Sequence, residues 1–274
     1  MSETPTIPEL FSLKGRIAVV TGALGLIGKN HCKGLTEAGA SVVVCDLDEI
    51  KCKEFASTLA EKSFGIGVDI SNKESVLNLK DEIIQTFGKV DILVNNAALS
   101  DSFENPQAAA EKSMFENYPL EMWQKSLDVN ITGMFLCSQV IGTMMAERGT
   151  GSIINIASTY GITAPDQSIY KNDKGEQTFN KSASYPVTKG AVIMFTKFLA
   201  AYWGEKGVRV NTLSPGGVEN NQEDFFIRNY SAKTPLGRMA HPTDYKGALV
   251  FLASDASNYM TGANLIVDGG WTAW

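Results

Sequence analysis

Tyr185 and Lys189 stand four residues apart in the run Tyr-Pro-Val-Thr-Lys, a spacing that puts both side chains on one face of a helix. A free phenol ionises near pH 10 and is a poor base at neutral pH. An ammonium beside it stabilises the phenolate, so the pair can work as a general acid or base. Pro186 disfavours helical backbone at the residue before it; the helix is therefore expected to begin at Pro186, leaving Tyr185 at its mouth. A second chemical signal is Thr21-Gly-Ala-Leu-Gly-Leu-Ile-Gly28. Gly22, Gly25 and Gly28 let the backbone turn tightly beside a phosphate, and a helix starting around Leu26 and Ile27 offers free N–H groups to it. Asp46 lies 24 residues after Gly22, followed by Leu47 and Asp48 rather than by a basic residue. A carboxylate there can accept both hydroxyls of a ribose and repel a 2′-phosphate. The plainer alternative is that Asp46 caps the next helix.

These residues need a frame, and the apolar pattern supplies one. Runs at 16–21 (RIAVVT), 41–46, 64–69, 90–95, 151–157, 208–213 and 263–267 are rich in β-branched residues. They are continuous rather than alternating, as strands covered on both faces by helices must be. Helical periodicity fills 25–38, 48–61, 73–87, 120–148 and 185–206. The alternation predicts an α/β fold, a doubly wound parallel sheet of about seven strands in one domain spanning 1–274. Residues 1–12 form an amino-terminal arm. Two long segments, 99–119 and 160–183, read as irregular loops on the substrate side.

Composition narrows the function classes. The chain is 44% hydrophobic and 20% charged, with a net charge of −6 and no basic cluster, which argues against nucleic acid as a partner. Every apolar run is expected to be broken by Lys, Asp or Glu before it can span a bilayer. The amino terminus lacks a signal-peptide pattern, so a cytoplasmic protein is expected. Cys32, Cys45, Cys52 and Cys137 lack metal-ligand spacing and read as buried thiols, while His31 and His241 are too few for a zinc site. No metal is expected.

Further polar residues close the predicted strands: Asn96 after the fourth, Ser158 after the fifth, and Pro215-Gly216-Gly-Val218 after the sixth, with Asn130 in the long helix. With this ordered set the chain resembles the short-chain dehydrogenase/reductases from about Phe11 to its carboxyl terminus. The resemblance implies a Rossmann fold and hydride transfer between a nicotinamide cofactor and a secondary alcohol or ketone. It makes Tyr185 the general acid/base and Lys189 the residue that holds the nicotinamide ribose and tunes Tyr185. Ser158 would bond the substrate oxygen, and Asn130 would position a water in a relay towards Lys189. Asp69 and Ile70 match the adenine contacts, Asn96 the segment beside the cofactor, and Val218 the carboxamide contact, with Pro215 and Gly216 before it. Asp46 and Leu47 favour NAD over NADP.

The chain departs from the short form of that family in two ways. Its glycines follow G-x-x-G-x-x-G, and Ser158 and Tyr185 lie 27 residues apart; both features resemble the longer branch that includes nucleotide-sugar epimerases and dehydratases. The carboxyl third (RVNTLSPGG, PLGRMA, FLASDASNYMTGANLIVDGGW) resembles the short form, so the chain reads as a short-form enzyme with an insertion at 164–183. That insertion is polar, which suits a polyhydroxylated or charged substrate, and Gln167 and Tyr170 are its candidate contacts. Insertion and carboxyl terminus resemble bacterial surface-carbohydrate and flagellin-modification oxidoreductases and gluconate-type sugar dehydrogenases. Alternatives are an epimerase or dehydratase that recycles bound NAD, a reductase of acyl-carrier thioesters, and a non-catalytic cofactor-binding protein. The resemblance also implies a homo-oligomer, a dimer or tetramer built on the two long helices.

Overall fold

The Val- and Ile-rich runs become seven parallel strands: β1 (Ile17–Thr21), β2 (Ser41–Asp46), β3 (Phe64–Gly67), β4 (Ile92–Asn95), β5 (Gly151–Ile156), β6 (Val208–Pro215) and β7 (Asn264–Val267). The computed structural model describes residues 4–60, 62–100 and 106–274. Strand order is β3-β2-β1-β4-β5-β6-β7. The order reverses between β1 and β4, and a crevice opens there at the carboxyl ends of the strands. Alternate side chains enter two separate cores. Val19, Val43, Leu93 and Ile153 pack on one face with Leu136, Ile141, Met145 and Trp203. Ala18, Val20, Val42, Val44 and Ile154 pack on the other with Leu35, Tyr245 and Leu249. Burial on both faces is why the strand sequences show no alternation.

The helices are α1 (Ile7–Phe11), α2 (Leu26–Glu37), α3 (Glu49–Ser57), α4 (Lys73–Phe87), α5 (Pro106–Lys112), α6 (Leu120–Arg148), α7 (Ser184–Trp203), α8 (Asp224–Lys233) and α9 (Lys246–Ala253). Three expectations need correction. The helix expected over 48–61 stops at Ser57, where the Thr58 N–H turns to the Phe55 carbonyl at 3.1 Å; residue 61 lies outside the described residues. The segment 99–119 holds a helix, α5, and a further turn at Phe115–Asn117, while 101–105 lie outside the described residues. Within 160–183, a turn at Gln167–Tyr170 leads into an antiparallel bridge between Lys171 and Gln177. That segment is a folded excursion rather than a loose loop.

The expectation that charge breaks every apolar run also fails. Residues 129–146 carry no charged side chain, and α6 is long and apolar enough to cross a membrane by length and composition. In the fold its apolar side serves another purpose: Leu136, Cys137, Ile141 and Met145 are buried in the core against the sheet. The helix widens into π-type turns at Asp128–Gly133 and Ser138–Gly142, a feature frequent at functional sites.

Candidate active site

At the end of β1 the Thr21 hydroxyl accepts the N–H groups of Asn96 and Ala97, each at 3.1 Å. Asn96 returns its side-chain amide to the carbonyls of Thr21 and Gly22, each at 2.9 Å. The glycine turn and the end of β4 are thereby locked as one piece. Gly22 has φ of 62°, and a Cβ on it would lie 2.6 Å from Ala97 Cα. A Cβ on Gly28 would lie 2.2 Å from the Gly22 carbonyl oxygen, so α2 reaches the turn only without a side chain there. Gly25 caps α2 with no side chain of its own, which leaves the first-turn N–H groups to any anion beside them.

Asp46 ends β2 with Oδ2 accepting the Leu24 N–H at 3.0 Å and Oδ1 accepting that of Leu47 at 2.8 Å. The cap of α3 is Asp48, which accepts the Lys51 N–H at 3.1 Å, so the capping alternative for Asp46 falls away. The Asp69 carboxylate accepts the N–H and hydroxyl of Ser71 at 2.9 and 2.6 Å. Ile70 is buried against Gly133, where any Cβ would meet it at 2.6 Å. Gly22, Gly25, Leu26, Ile27, Gly28, Asp46, Leu47, Asp69, Ile70, Asn96 and Val218 all line one groove of about 700 Å³. Pro215 and Gly216 lie off it. Pro215 is buried within β6, and Gly216 lines a smaller neighbouring cavity with Tyr230 and Tyr245.

Beyond the groove, Ser158 follows β5 in extended backbone and accepts the Tyr160 N–H at 3.1 Å. The turn Thr159–Gly161 sits on α7 at Lys189, because a Cβ on Gly161 would lie 2.6 Å from the Lys189 carbonyl oxygen. Tyr185 belongs to the first turn of α7, which begins at Ser184. The expectation of a helix starting at Pro186 is corrected by one turn's logic: first-turn N–H groups have no intrahelical partner, so the proline forfeits nothing. Val187 then bonds the Ala183 carbonyl at 3.2 Å. Tyr185 and Lys189 share a face, with Lys189 Nζ 5.7 Å from the Tyr185 ring centre.

The electrostatics differ from the sequence expectation. Lys189 is buried and donates to the Ile156 carbonyl at 2.8 Å. Burial, with repulsion from Lys181, brings its pKa down to about 8. Loss of solvent raises the Tyr185 phenol above its ordinary value, against which a hydrogen bond with Ser158 pulls it down. Desolvation wins, and Tyr185 is a neutral phenol at neutral pH in this state. Asn130 is buried, and its amide is engaged by the Leu99 N–H (2.7 Å), the Leu99 carbonyl (3.1 Å) and the Thr188 hydroxyl (3.1 Å). Thr188 donates in turn to the Tyr185 carbonyl at 3.0 Å. Asn130 thus ties the lip of the groove to the first turn of α7.

The two insertion residues singled out by sequence have different surroundings. Gln167 donates to the Lys181 carbonyl at 2.9 Å and accepts the Lys181 N–H at 2.8 Å, so both ends of its amide are spent inside the insertion. Tyr170 packs between Phe179 and Phe226, each ring centre 5.2 Å away, and burial pushes its phenol up to about 12. Sequence reasoning missed Thr188, which sits inside the Tyr-Pro-Val-Thr-Lys run itself. It also missed Lys181, four residues before Tyr185, and the aromatic wall where Tyr160 stands edge-on to Tyr185 and to Trp271, each ring centre at 6.5 Å.

A family model described as enoyl-(acyl carrier protein) reductase matches residues 22–272. The chain is 34% identical to the 2-dehydro-3-deoxy-D-gluconate 5-dehydrogenase of Pseudoalteromonas atlantica, covering 96% of this chain and 98% of that one. It is 32% identical to the NAD-dependent glycerol dehydrogenase of Listeria innocua, covering 96% of each. Among solved structures, the gluconate 5-dehydrogenase of Burkholderia cenocepacia in complex with NADP and tartrate superposes with a TM-score of 0.83, at 31% identity over 98% of this chain and 100% of that one. Agreement along nearly the whole length of each partner reaches far beyond a shared glycine turn: the chain belongs to the short-chain dehydrogenase/reductase family and is a single-domain oxidoreductase with a Rossmann fold.

Proposed function

We propose that this protein is an NAD(H)-dependent oxidoreductase that interconverts a secondary alcohol and a ketone on a sugar-derived substrate. The observation that carries the reading is the convergence of Ser158, Tyr185 and the buried Lys189 at the carboxyl end of β5, next to a glycine-lined groove. The groove fits a dinucleotide. Its floor is backbone that tolerates no Cβ at Gly22 or Gly28, and its helix start offers uncapped N–H groups to a pyrophosphate. Asp46 and Leu47 would border the adenosine ribose, Asp69 and Ile70 the adenine, and Asn96 and Val218 the nicotinamide half.

When bound, the nicotinamide supplies or takes up the hydride. Tyr185, neutral and hydrogen-bonded to Ser158, gives its proton to the substrate oxygen as a ketone is reduced and takes it back in oxidation. Ser158 holds the same oxygen and stabilises charge developing on it. Lys189 keeps a positive charge against the phenol and would hold the nicotinamide ribose. Asn130 is a positioning residue, acting through Leu99 and Thr188. Gln167 positions the insertion, and Tyr170 packs it against Phe226 of α8. The cytoplasm is the expected compartment, a reading supported by four free, buried thiols. A homo-oligomer is supported by the exposed apolar side chains of Phe135, Met194, Phe198 and Tyr202 on α6 and α7.

The charge of Asp46 favours NAD over NADP, while the names of relatives span both cofactors. The test is a panel of alditols, aldonates and amino-sugar precursors offered with NAD and NADP in parallel, read by the near-ultraviolet absorbance of reduced nicotinamide. Net reduction of NAD, with kcat/KM at least ~10-fold above that with NADP, is expected. Product formation without net absorbance change would instead mark an enzyme that recycles its cofactor.

A further inference from the structure

We propose that Tyr230 is a positioning residue for hydride transfer: its hydroxyl fixes segment 215–218, the nicotinamide side of the groove, against the turn that follows Ser158. The proposal rests on the oxidoreductase reading above and names the residue of α8 that aligns its two reactants.

The segment is built from backbone that leaves no room for side chains at its centre. A Cβ on Gly216 would lie 2.9 Å from Asp268 Cα, and one on Gly217 would lie 2.6 Å from the Tyr230 ring. The Gly216 N–H donates to the Val267 carbonyl at 2.9 Å, and the Ala240 N–H donates to the Gly217 carbonyl at 2.9 Å. Gln222 donates to the Val218 carbonyl at 2.8 Å. The Gly217 N–H has a side-chain acceptor, the Tyr230 hydroxyl, at 2.6 Å. That hydroxyl also shares a hydrogen bond with the Thr159 side chain. Tyr230 is buried, so both bonds are shielded from water, and removing the hydroxyl takes away the acceptor of the Gly217 N–H.

Helix α8 makes this phenol a bracket. Arg228 and Lys233 pair with Asp173 and Asp166 of the insertion, and Asn229 donates to the carbonyls of Ile169 and Lys171. Tyr230, the next residue, reaches Gly217 and Thr159 instead. Its ring stacks on Trp271 with centres 4.2 Å apart, and Trp271 and Tyr185 both stand edge-on to Tyr160, each ring centre at 6.5 Å. A continuous set of ring contacts therefore runs from Gly217 to the acid/base. Val218, one residue beyond Gly217, lines the cofactor groove, while Ser158, one residue before Thr159, bonds Tyr185. One hydroxyl thus spans the neighbours of both reacting partners. A misplacement of about 1 Å between reactants can cost ~10²-fold in rate, so a bond that sets this separation governs rate without touching substrate or cofactor.

The test titrates the full-length enzyme with two ligands that differ by the nicotinamide ring, NADH and ADP-ribose, in wild type, Tyr230→Phe and Gly217→Ala. Tyr230→Phe keeps the stack on Trp271 and loses only the hydroxyl. Gly217→Ala presses the segment off Tyr230, leaves the hold of α8 on the insertion intact, and decides the matter should Tyr230→Phe fail to fold. Each variant is expected to bind NADH ~10-fold more weakly while ADP-ribose affinity stays within about 2-fold. In ketone reduction kcat should fall ~10-fold or more with little change in the substrate KM. The isotope effect from NADH deuterated at the transferred position should rise with it. A hydroxyl that served packing alone would lower Tm and shift both ligands together, or neither; either pattern would overturn the proposal and leave the oxidoreductase standing. A wild type that binds NADH yet transfers no hydride to any carbonyl tried would overturn the oxidoreductase reading, and the proposal with it.

Discussion

At position 189 an ammonium is held out of water by the Ile156 carbonyl, with a pKa of about 8 against 10.5 in an unperturbed lysine. The unfolded chain binds that proton more tightly than the folded one, so Lys189 costs stability at neutral pH. The cost shrinks as pH rises from 8 and is gone above 10.5. Lys189→Met should therefore be more stable than wild type at neutral pH by about 1–3 kcal/mol in denaturant unfolding, with the gap closing in alkali, while turnover collapses. A destabilised variant would contradict this. The same ionisation governs rate. Ketone reduction needs the Tyr185 proton, which loss of solvent secures beyond the ordinary phenol range, and the Lys189 charge, which does not last so far. A pH profile of kcat/KM for reduction should fall as pH rises through about 8. At this scale the meeting of Tyr185, Lys189 and Ser158 at the end of β5 was legible from their order along the chain and the predicted strands between them, while their roles are part of the proposal. Lys181 and Thr188 were not legible, since a hydrogen bond or a ring contact leaves no motif.

Among the elements, α7 shows how local rules compose. Sequence logic placed a helix boundary at Pro186, yet the helix starts two residues earlier because a first turn has no N–H bonds to lose. The proline preference for an extended neighbour yields to the packing of Tyr185 against Tyr160 and Ser158. The glycine turn is the opposite case, where glycines placed between a predicted strand and a predicted helix were enough to read the turn. Gly28 is needed because α2 presses on the Gly22 carbonyl, so Gly28→Ala should cost about 1–3 kcal/mol and weaken NADH binding together, measured by thermal unfolding and titration. An alanine variant with unaltered affinity would show that the turn does not shape the groove. Strand cores were legible from β-branched runs covered on both faces. Helix α5 was not, because Pro-Gln-Ala-Ala-Ala-Glu-Lys has no apolar stripe to reveal it.

For the whole molecule, the doubly wound sheet and its crevice followed from the alternation of elements, but the docking of the insertion on α8 did not. That docking depends on pairs such as Asp166–Lys233 and Asp173–Arg228, 67 and 55 residues apart, and pairings of that reach have no local signature. Global stability carries one more titratable liability. His31 in α2 is fully buried, neither ring nitrogen meets a hydrogen-bond partner among the described residues, and burial lowers its pKa from 6.5 to about 3. The folded state therefore loses ground as pH falls below 6.5, by about 1.4 kcal/mol per unit until pH nears 3. His31→Leu should flatten the acid side of the stability curve in denaturant unfolding, and an identical slope would exclude His31 as its source. The assembled site is proposed to perform net hydride transfer with Tyr185 as its acid/base. Its most direct test sets wild type beside Tyr185→Phe, following nicotinamide reduction on the best polyol substrate and NADH affinity on the same samples. Tyr185→Phe is expected to lose roughly 10²–10⁴-fold in kcat with NADH binding intact; near-normal kcat in that variant would rule out Tyr185 as the acid/base.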